Sequence, residues 1–214
     1  MTSWLQPGLF ERADARPWPF NAPNAASDTL VAQAYRLIMI DPPWHFKLHS
    51  DATGAEKSPQ AHYDCMSMDE IKALPVADLA APDCLLWLWS TAPMLDQQIG
   101  VLAAWGFEFC TSGVWVKTTV NGHLAFGTGY VLRGAHEPFV IAKRGAPQVV
   151  SRAVRSVVMG PSRENSRKPD EAYDAARQLI PQGLACDVFS RERRPGWHVW
   201  GKEVGKFDGT GEAA

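Results

Sequence analysis

The feature that most constrains this chain is an apolar run that stops abruptly. Residues 36–40 end in Leu37-Ile38-Met39-Ile40, and Asp41-Pro42-Pro43-Trp44 follows at once. A short unbroken apolar run reads as a buried strand, and two prolines cannot continue its ladder. The acidic residue therefore stands at the carboxyl end of a buried strand, where open α/β sheets place their ligands.

The rest of the chain supplies the partners such a strand needs. Ser67-Met68-Asp69-Glu70 has the capping-box form and predicts a short helix through Leu74. Residues 84–89 read as a second buried strand. Pro93 opens a helix to Trp105, closed by Gly106. Residues 107–117 form one or two strands, Asn121-Gly122 marks a turn, and Gly127-Thr128-Gly129-Tyr130 is a glycine loop before a strand at 138–142. Residues 153–159 read as extended. Residues 169–180 form a helix with Pro169 in its first turn and Asp170 and Glu171 suited to its dipole. Strands at 185–190 and 197–200 complete the chain. Alternating strands and helices predict an α/β class with a mostly parallel sheet. Residues 45–63 form a long polar loop, a length associated with function.

The 214 residues, 46% of them hydrophobic and 21% charged, suit one globular domain and exclude disordered, collagenous and disulfide-stapled classes. Cys65, Cys84, Cys110 and Cys186 stand apart, as in a reducing cytoplasm, and no His or Cys has metal-ligand spacing. No apolar run reaches membrane-spanning length.

Asp41-Pro42-Pro43-Trp44 carries the chemical signal. A carboxylate and an outward carbonyl can accept the two hydrogens of a planar amine, and an aromatic ring can stack on the plane behind it. The same four residues also read as a strand-ending turn with a packed Trp, and the tetrad by itself leaves both open.

The wider sequence resembles the MT-A70 family of S-adenosylmethionine-dependent methyltransferases, which methylate the N6 amine of adenine in RNA or DNA. The resemblance rests on YRLIMIDPPWHF, HYDCMSMDEIKALPVADLA, LWLWSTAPML, WVKT, GTGYVLRGAHE, SRKPDE and RPGWHVWGKEV, in the family's order from Tyr35 to Val204. The bacterial and phage branch looks closest. The resemblance implies a Rossmann-like sheet flanked by helices, in the permuted order of β-class enzymes. Residues 1–34, rich in Ala, Pro, Asn and Asp, read as an irregular arm, ahead of a catalytic domain over 35–206 and a flexible tail over 207–214. Catalysis falls to Asp41, Pro42, Pro43 and Trp44. S-adenosyl-L-methionine falls to Asp41, Lys168, Asp187, Phe189, Arg191, Arg193, Lys202 and Glu203. Substrate falls to Trp44, Phe46, Tyr130, Arg133 and Glu137. Lys202 stands where many relatives have Asn, and Arg193 and Arg194 where some have His and Asn. Other readings are a catalytically silent nucleic-acid-binding partner subunit, or an amino-methyltransferase for cytosine or a protein amide.

Charge is unevenly spread. Residues 1–142 hold 8 Lys/Arg against 14 Asp/Glu, whereas residues 143–206 hold 13 against 7. A basic half of this kind can face phosphates. The expected partner is adenine-containing nucleic acid, DNA favoured over RNA. A homodimer, or a heterodimer with a related subunit, would double the basic surface.

Overall fold

The computed structural model describes residues 22–45, 65–129, 131–164 and 167–209. Its centre is β1 (Tyr35–Ile40), hydrogen-bonded in parallel to β2 (Ala80–Trp89) on one side and to β6 (Leu184–Val188) on the other. Ile38 and Ile40 enter one hydrophobic cluster, Leu37 and Met39 another. Both faces of β1 are covered, so its sequence shows no polar alternation.

The remaining strands are β3 (Glu108–Thr118), β4 (His136–Arg144), β5 (Val157–Pro161) and β7 (His198–Trp200). Across the sheet the order is β5-β3-β4-β2-β1-β6-β7, and β4 alone runs antiparallel to its neighbours. This is the α/β sheet expected, consistent with a Rossmann-like fold.

One face is covered by α1 (Met68–Lys72), α2 (Val76–Leu79), α3 (Leu95–Ile99) and α4 (Val101–Ala104). The other is covered by α5 (Asp170–Leu179), whose Ala172, Tyr173 and Ala176 pack on Leu37, Met39 and Trp87. The capping box forms as predicted. Ser67 Oγ accepts the Glu70 amide at 3.3 Å, and Glu70 accepts the Ser67 amide at 2.8 Å.

Three elements differ from the sequence expectation. The single helix from Pro93 is a 3-10 turn (Ala92–Met94) followed by α3 and α4, interrupted at Gly100. Glycine weakens a helix interior, and the buried Gln98 side chain is drawn back to the Thr91 amide at 2.7 Å. Gly106 does end the segment, at φ +71°. Pro169 is the extended N-cap residue of α5 rather than part of its first turn. Extended structure near 153–159 is regular only from Val157.

Residues 22–34 contain no strand or helix and run along the outer edge of β7. The Asp28 amide donates to Val199 O at 2.8 Å, and Asp28 Oδ2 accepts the Val199 amide at 2.7 Å. That clasp covers an edge strand that would otherwise expose unpaired backbone groups. Phe207, expected in the tail, is buried, and its amide donates to Arg191 O at 3.3 Å. Ordered packing thus continues past residue 206.

Candidate active site

Six strands point their carboxyl ends to one edge, and β4 begins there because it runs the other way. From β1 the chain departs to β2 on one flank, while β6 later docks on the other. The switch point of the sheet is therefore the end of β1, occupied by Asp41.

Asp41 stands in a line of alternating charges. Its Oδ2 lies 2.9 Å from Lys168 Nζ, on the loop between β5 and α5. Lys168 Nζ reaches Glu137 Oε1 at 2.5 Å, and Glu137 Oε2 meets Lys117 Nζ at 2.9 Å. Lys168 is buried and also lies over the Trp89 ring, 5.2 Å from its centroid. Glu137 is buried, while the Asp41 side chain keeps 32% of its exposure.

The environments separate the two carboxylates. Burial pushes Asp41 up, and Glu137 adds to this against the pull of Lys168. Burial also acts on Glu137, but two ammonium groups outweigh it and hold Glu137 below the ordinary range. Burial alone would lower Lys168, yet two carboxylates raise it. Glu137 and Lys168 thus stay charged, and Asp41 is the member ready to take up a proton.

The proline turn has a defined form. Pro42 O accepts the Trp44 amide at 2.8 Å, and Pro43 O accepts the Met66 amide at 2.8 Å. A carbonyl has two lone pairs, so Pro42 O retains capacity for another donor. Trp44 departs from the expectation of an exposed plate. Its ring is buried in the α1–α4 cluster, and its Nε1 donates to Trp89 O at 3.2 Å. The packed-Trp reading is the one the structure realises, because the turn carries residue 44 back beneath the sheet.

Across β1, Asp187 is 3% exposed near the end of β6. Its Oδ2 accepts the Tyr173 hydroxyl at 2.8 Å. Burial raises its carboxyl to about 6, against Ser190, Arg194 and Tyr173. Phe189 follows at φ +67°, a conformation costly for a residue with a Cβ and concentrated at functional sites. Its ring packs edge-on against Trp200. Arg191 pairs with Glu203 at 3.0 Å, and Glu203 also meets Lys206 at 2.5 Å.

Two residues expected at the cofactor make contacts with residues 24–26. Arg193 is 55% exposed, contacts Asp208 at 3.8 Å and donates to Ala26 O at 3.1 Å, so it links the segment before β1 to the segment after β7. The Lys202 side chain is exposed, and its carbonyl accepts from Asn24 at 2.8 Å. Arg133 lies over the Phe126 ring in the loop between β3 and β4. Gly127 and Gly129 of the glycine loop pack closely against the loop's own backbone. A Cβ on Gly129 would come within 1.9 Å of Leu132 O. Phe46 and Tyr130 lie outside the described residues.

Sequence reasoning missed Lys117 and Tyr173 as site residues. Lys117 reaches the site because Trp115 pairs with Glu137 across β3 and β4, a register no local pattern reveals. Tyr173 lies one turn into α5 from the Lys168-Pro169 entry, where it reads as an ordinary core aromatic.

The MT-A70 family model matches residues 35–203. A type II methyltransferase, M.MunI, from Mycoplasma sp is 26% identical, over 82% of this chain and 80% of its own length. The N6-methyladenosine RNA methyltransferase MTA1 of Cryphonectria parasitica is 30% identical, over 86% of this chain and 56% of its own. The N(6)-adenosine-methyltransferase MT-A70-like of Arabidopsis thaliana is 28% identical, over 81% of this chain and 24% of its own. The chain thus spans about a quarter of the plant relative and just over half of the fungal one. With the family model matching most of the chain, from β1 through the turn after β7, this protein belongs to the MT-A70 family.

Proposed function

We propose that the chain transfers a methyl group from S-adenosyl-L-methionine to the N6 amine of adenine in nucleic acid, with DNA favoured over RNA. The observation that carries this reading is the Asp41 carboxylate. It is partly open to solvent at the switch point, beside the Pro42 carbonyl, and fixed by a buried lysine.

The residues present fit the methyl donor. Asp187 is a buried carboxylate with acceptor capacity beyond its Tyr173 bond, suited to a ribose diol. Phe189 and Arg191 follow it in the chain at the same edge, and two carboxylates there favour a cationic ligand. When bound, the donor supplies a methyl group activated by a positive sulfonium.

Asp41 and Pro42 O accept the two hydrogens of the adenine amine, which orients the nitrogen lone pair and favours its pyramidal form. These bonds strengthen as positive charge builds on nitrogen. Orientation of this kind supplies about 7–11 kcal/mol in favourable cases. After transfer the methylated amine would carry an excess proton. Asp41 takes it, its raised pKa suiting it to do so, and passes it to solvent.

Lys168 holds Asp41 in place, and Glu137 holds Lys168. The target base leaves the duplex stack at a cost of a few kcal/mol. Exposed Phe126 with Arg133 above it provides a stacking surface on the substrate side. The same loop exposes Val120, Leu124, Val131 and Leu132, which supports a dimer, with itself or a related subunit.

The test is incubation of the full chain with methyl-labelled donor and matched DNA and RNA oligonucleotides, followed by mass spectrometry of the bases. N6-methyladenine, more in DNA, is the expected product. Label on cytosine, or none on nucleic acid, would contradict the reading.

A further inference from the structure

On the cofactor side, α5 directs one hydroxyl at the sheet. Tyr173 Oη donates to Asp187 Oδ2 at 2.8 Å, and both residues are buried. The ring is held from two sides. Trp197 meets it edge-on at 5.3 Å, and the Arg194 guanidinium lies 3.8 Å over its centroid. Arg194 is anchored in turn by Asp170 at 2.8 Å and Glu192 at 2.9 Å. A ring clamped this way presents its hydroxyl in one direction only.

We propose that Tyr173 is a positioning residue of the cofactor site, its hydroxyl fixing the Asp187 carboxylate in the orientation that receives the ribose of the methyl donor. The proposal rests on the assignment of Asp187 to the cofactor. It also ties two parts of the site together, because α5 carries Lys168 at its entry and Tyr173 one turn later. A displacement of α5 would move the lysine behind Asp41 and the hydroxyl behind Asp187 together.

A buried phenol needs an acceptor, and a neutral carbonyl would suffice. Here the acceptor is a carboxylate, which makes the bond shorter and stronger. Burial and Asp187 raise the Tyr173 hydroxyl well above its usual value, so it remains a donor. The groups facing Asp187 are Tyr173 from α5, Ser190 and Arg194 from the segment after β6, and Asp41 from β1. The first three favour its ionised form, and Asp41 opposes it.

Tyr173→Phe in the full chain tests this, since it removes the hydroxyl and keeps the ring for Arg194 and Trp197. S-adenosylhomocysteine binding is measured by calorimetry from about pH 5 to about pH 8, beside Asp187→Asn. Loss of a bond to a charged group should weaken Tyr173→Phe binding about tenfold at neutral pH. The KM for the methyl donor should rise, while kcat at saturation stays within about twofold. The pH midpoint of binding should move upward, because the carboxylate has lost a donor. A tyrosine that merely packs would leave that midpoint in place. Unchanged affinity and midpoint in Tyr173→Phe, with binding weakened in Asp187→Asn, would overturn the proposal alone. Unchanged binding in Asp187→Asn would overturn the assignment of Asp187, and the proposal with it.

Discussion

The two flanks of β1 hold their carboxylates by different means. Toward β2 and β4, Asp41 and Glu137 face ammonium groups in a chain that runs Asp41, Lys168, Glu137, Lys117. Toward β6, Asp187 is held mainly by hydroxyls, with Arg194 acting through its charge. Formal cations hold Glu137 below the ordinary range, whereas Asp187, with hydroxyl partners, rises to about 6. In the first arrangement Glu137 keeps its charge while Asp41 is raised, and the line fails when its shared cation is removed. The second depends on neutral donors and responds to pH.

Lys168→Met should break the ion-paired side most severely. It leaves two carboxylates facing each other without their shared cation, and breaking a buried pair costs about 3–5 kcal/mol. We expect a melting temperature about 10 °C lower and no detectable methyl transfer. Thermal melts and the labelled-donor assay check both. Wild-type stability would mean that water replaces the lysine without penalty.

Trp44→Ala acts beneath the same edge and separates packing from chemistry. Truncating a buried Trp should cost about 3–5 kcal/mol, read as a lower urea midpoint. Unchanged stability with weakened binding to nucleic acid would restore Trp44 as a plate for the base.

Asp187 should show the pH response. Its folded pKa stands above its unfolded one, so its contribution is full below the unfolded value and is lost as pH rises through about 6. The stability of wild type relative to Asp187→Asn should therefore fall by about 1.4 kcal/mol per unit between about pH 4 and about pH 6. Urea melts across that range give the slope, and a flat difference would place the carboxylate in an ordinary environment.

The smallest effect belongs to the basic surface. Lys143, Arg144, Arg163 and Arg167 are engaged with Glu108, Ala77 O, Asp170 and Glu192. Arg152 and Arg155 are exposed and form no ion pair with a described residue. Replacing both with Gln should make the salt dependence of duplex binding shallower by about 0.9 per contact, with site preference unchanged. An identical slope would make the charge asymmetry ordinary surface.

Local chemistry made much of this legible in the sequence. The apolar run before Asp41, the Ser67–Glu70 box and the Gly106 stop each depend on neighbours a few residues apart. Strand ends placed Asp41 and Asp187 on one edge once a parallel sheet was inferred. What stayed hidden depends on register and side-chain direction. Lys117 meets Glu137 only through the β3–β4 pairing, and Trp44 turns inward only because Pro42 and Pro43 close the turn as they do. Gly100 interrupts a helix whose apolar pattern continues through it.

In the proposed function, Asp41 performs the transfer chemistry at the switch point. Asp41→Asn keeps the shape and an acceptor for Lys168 but cannot take up the proton. Single-turnover methylation of an adenine-containing oligonucleotide, with a thermal melt confirming the fold, measures it most directly. The expected rate is about a thousandfold below wild type at neutral pH. A folded Asp41→Asn variant that methylates N6 at close to the wild-type rate would contradict it.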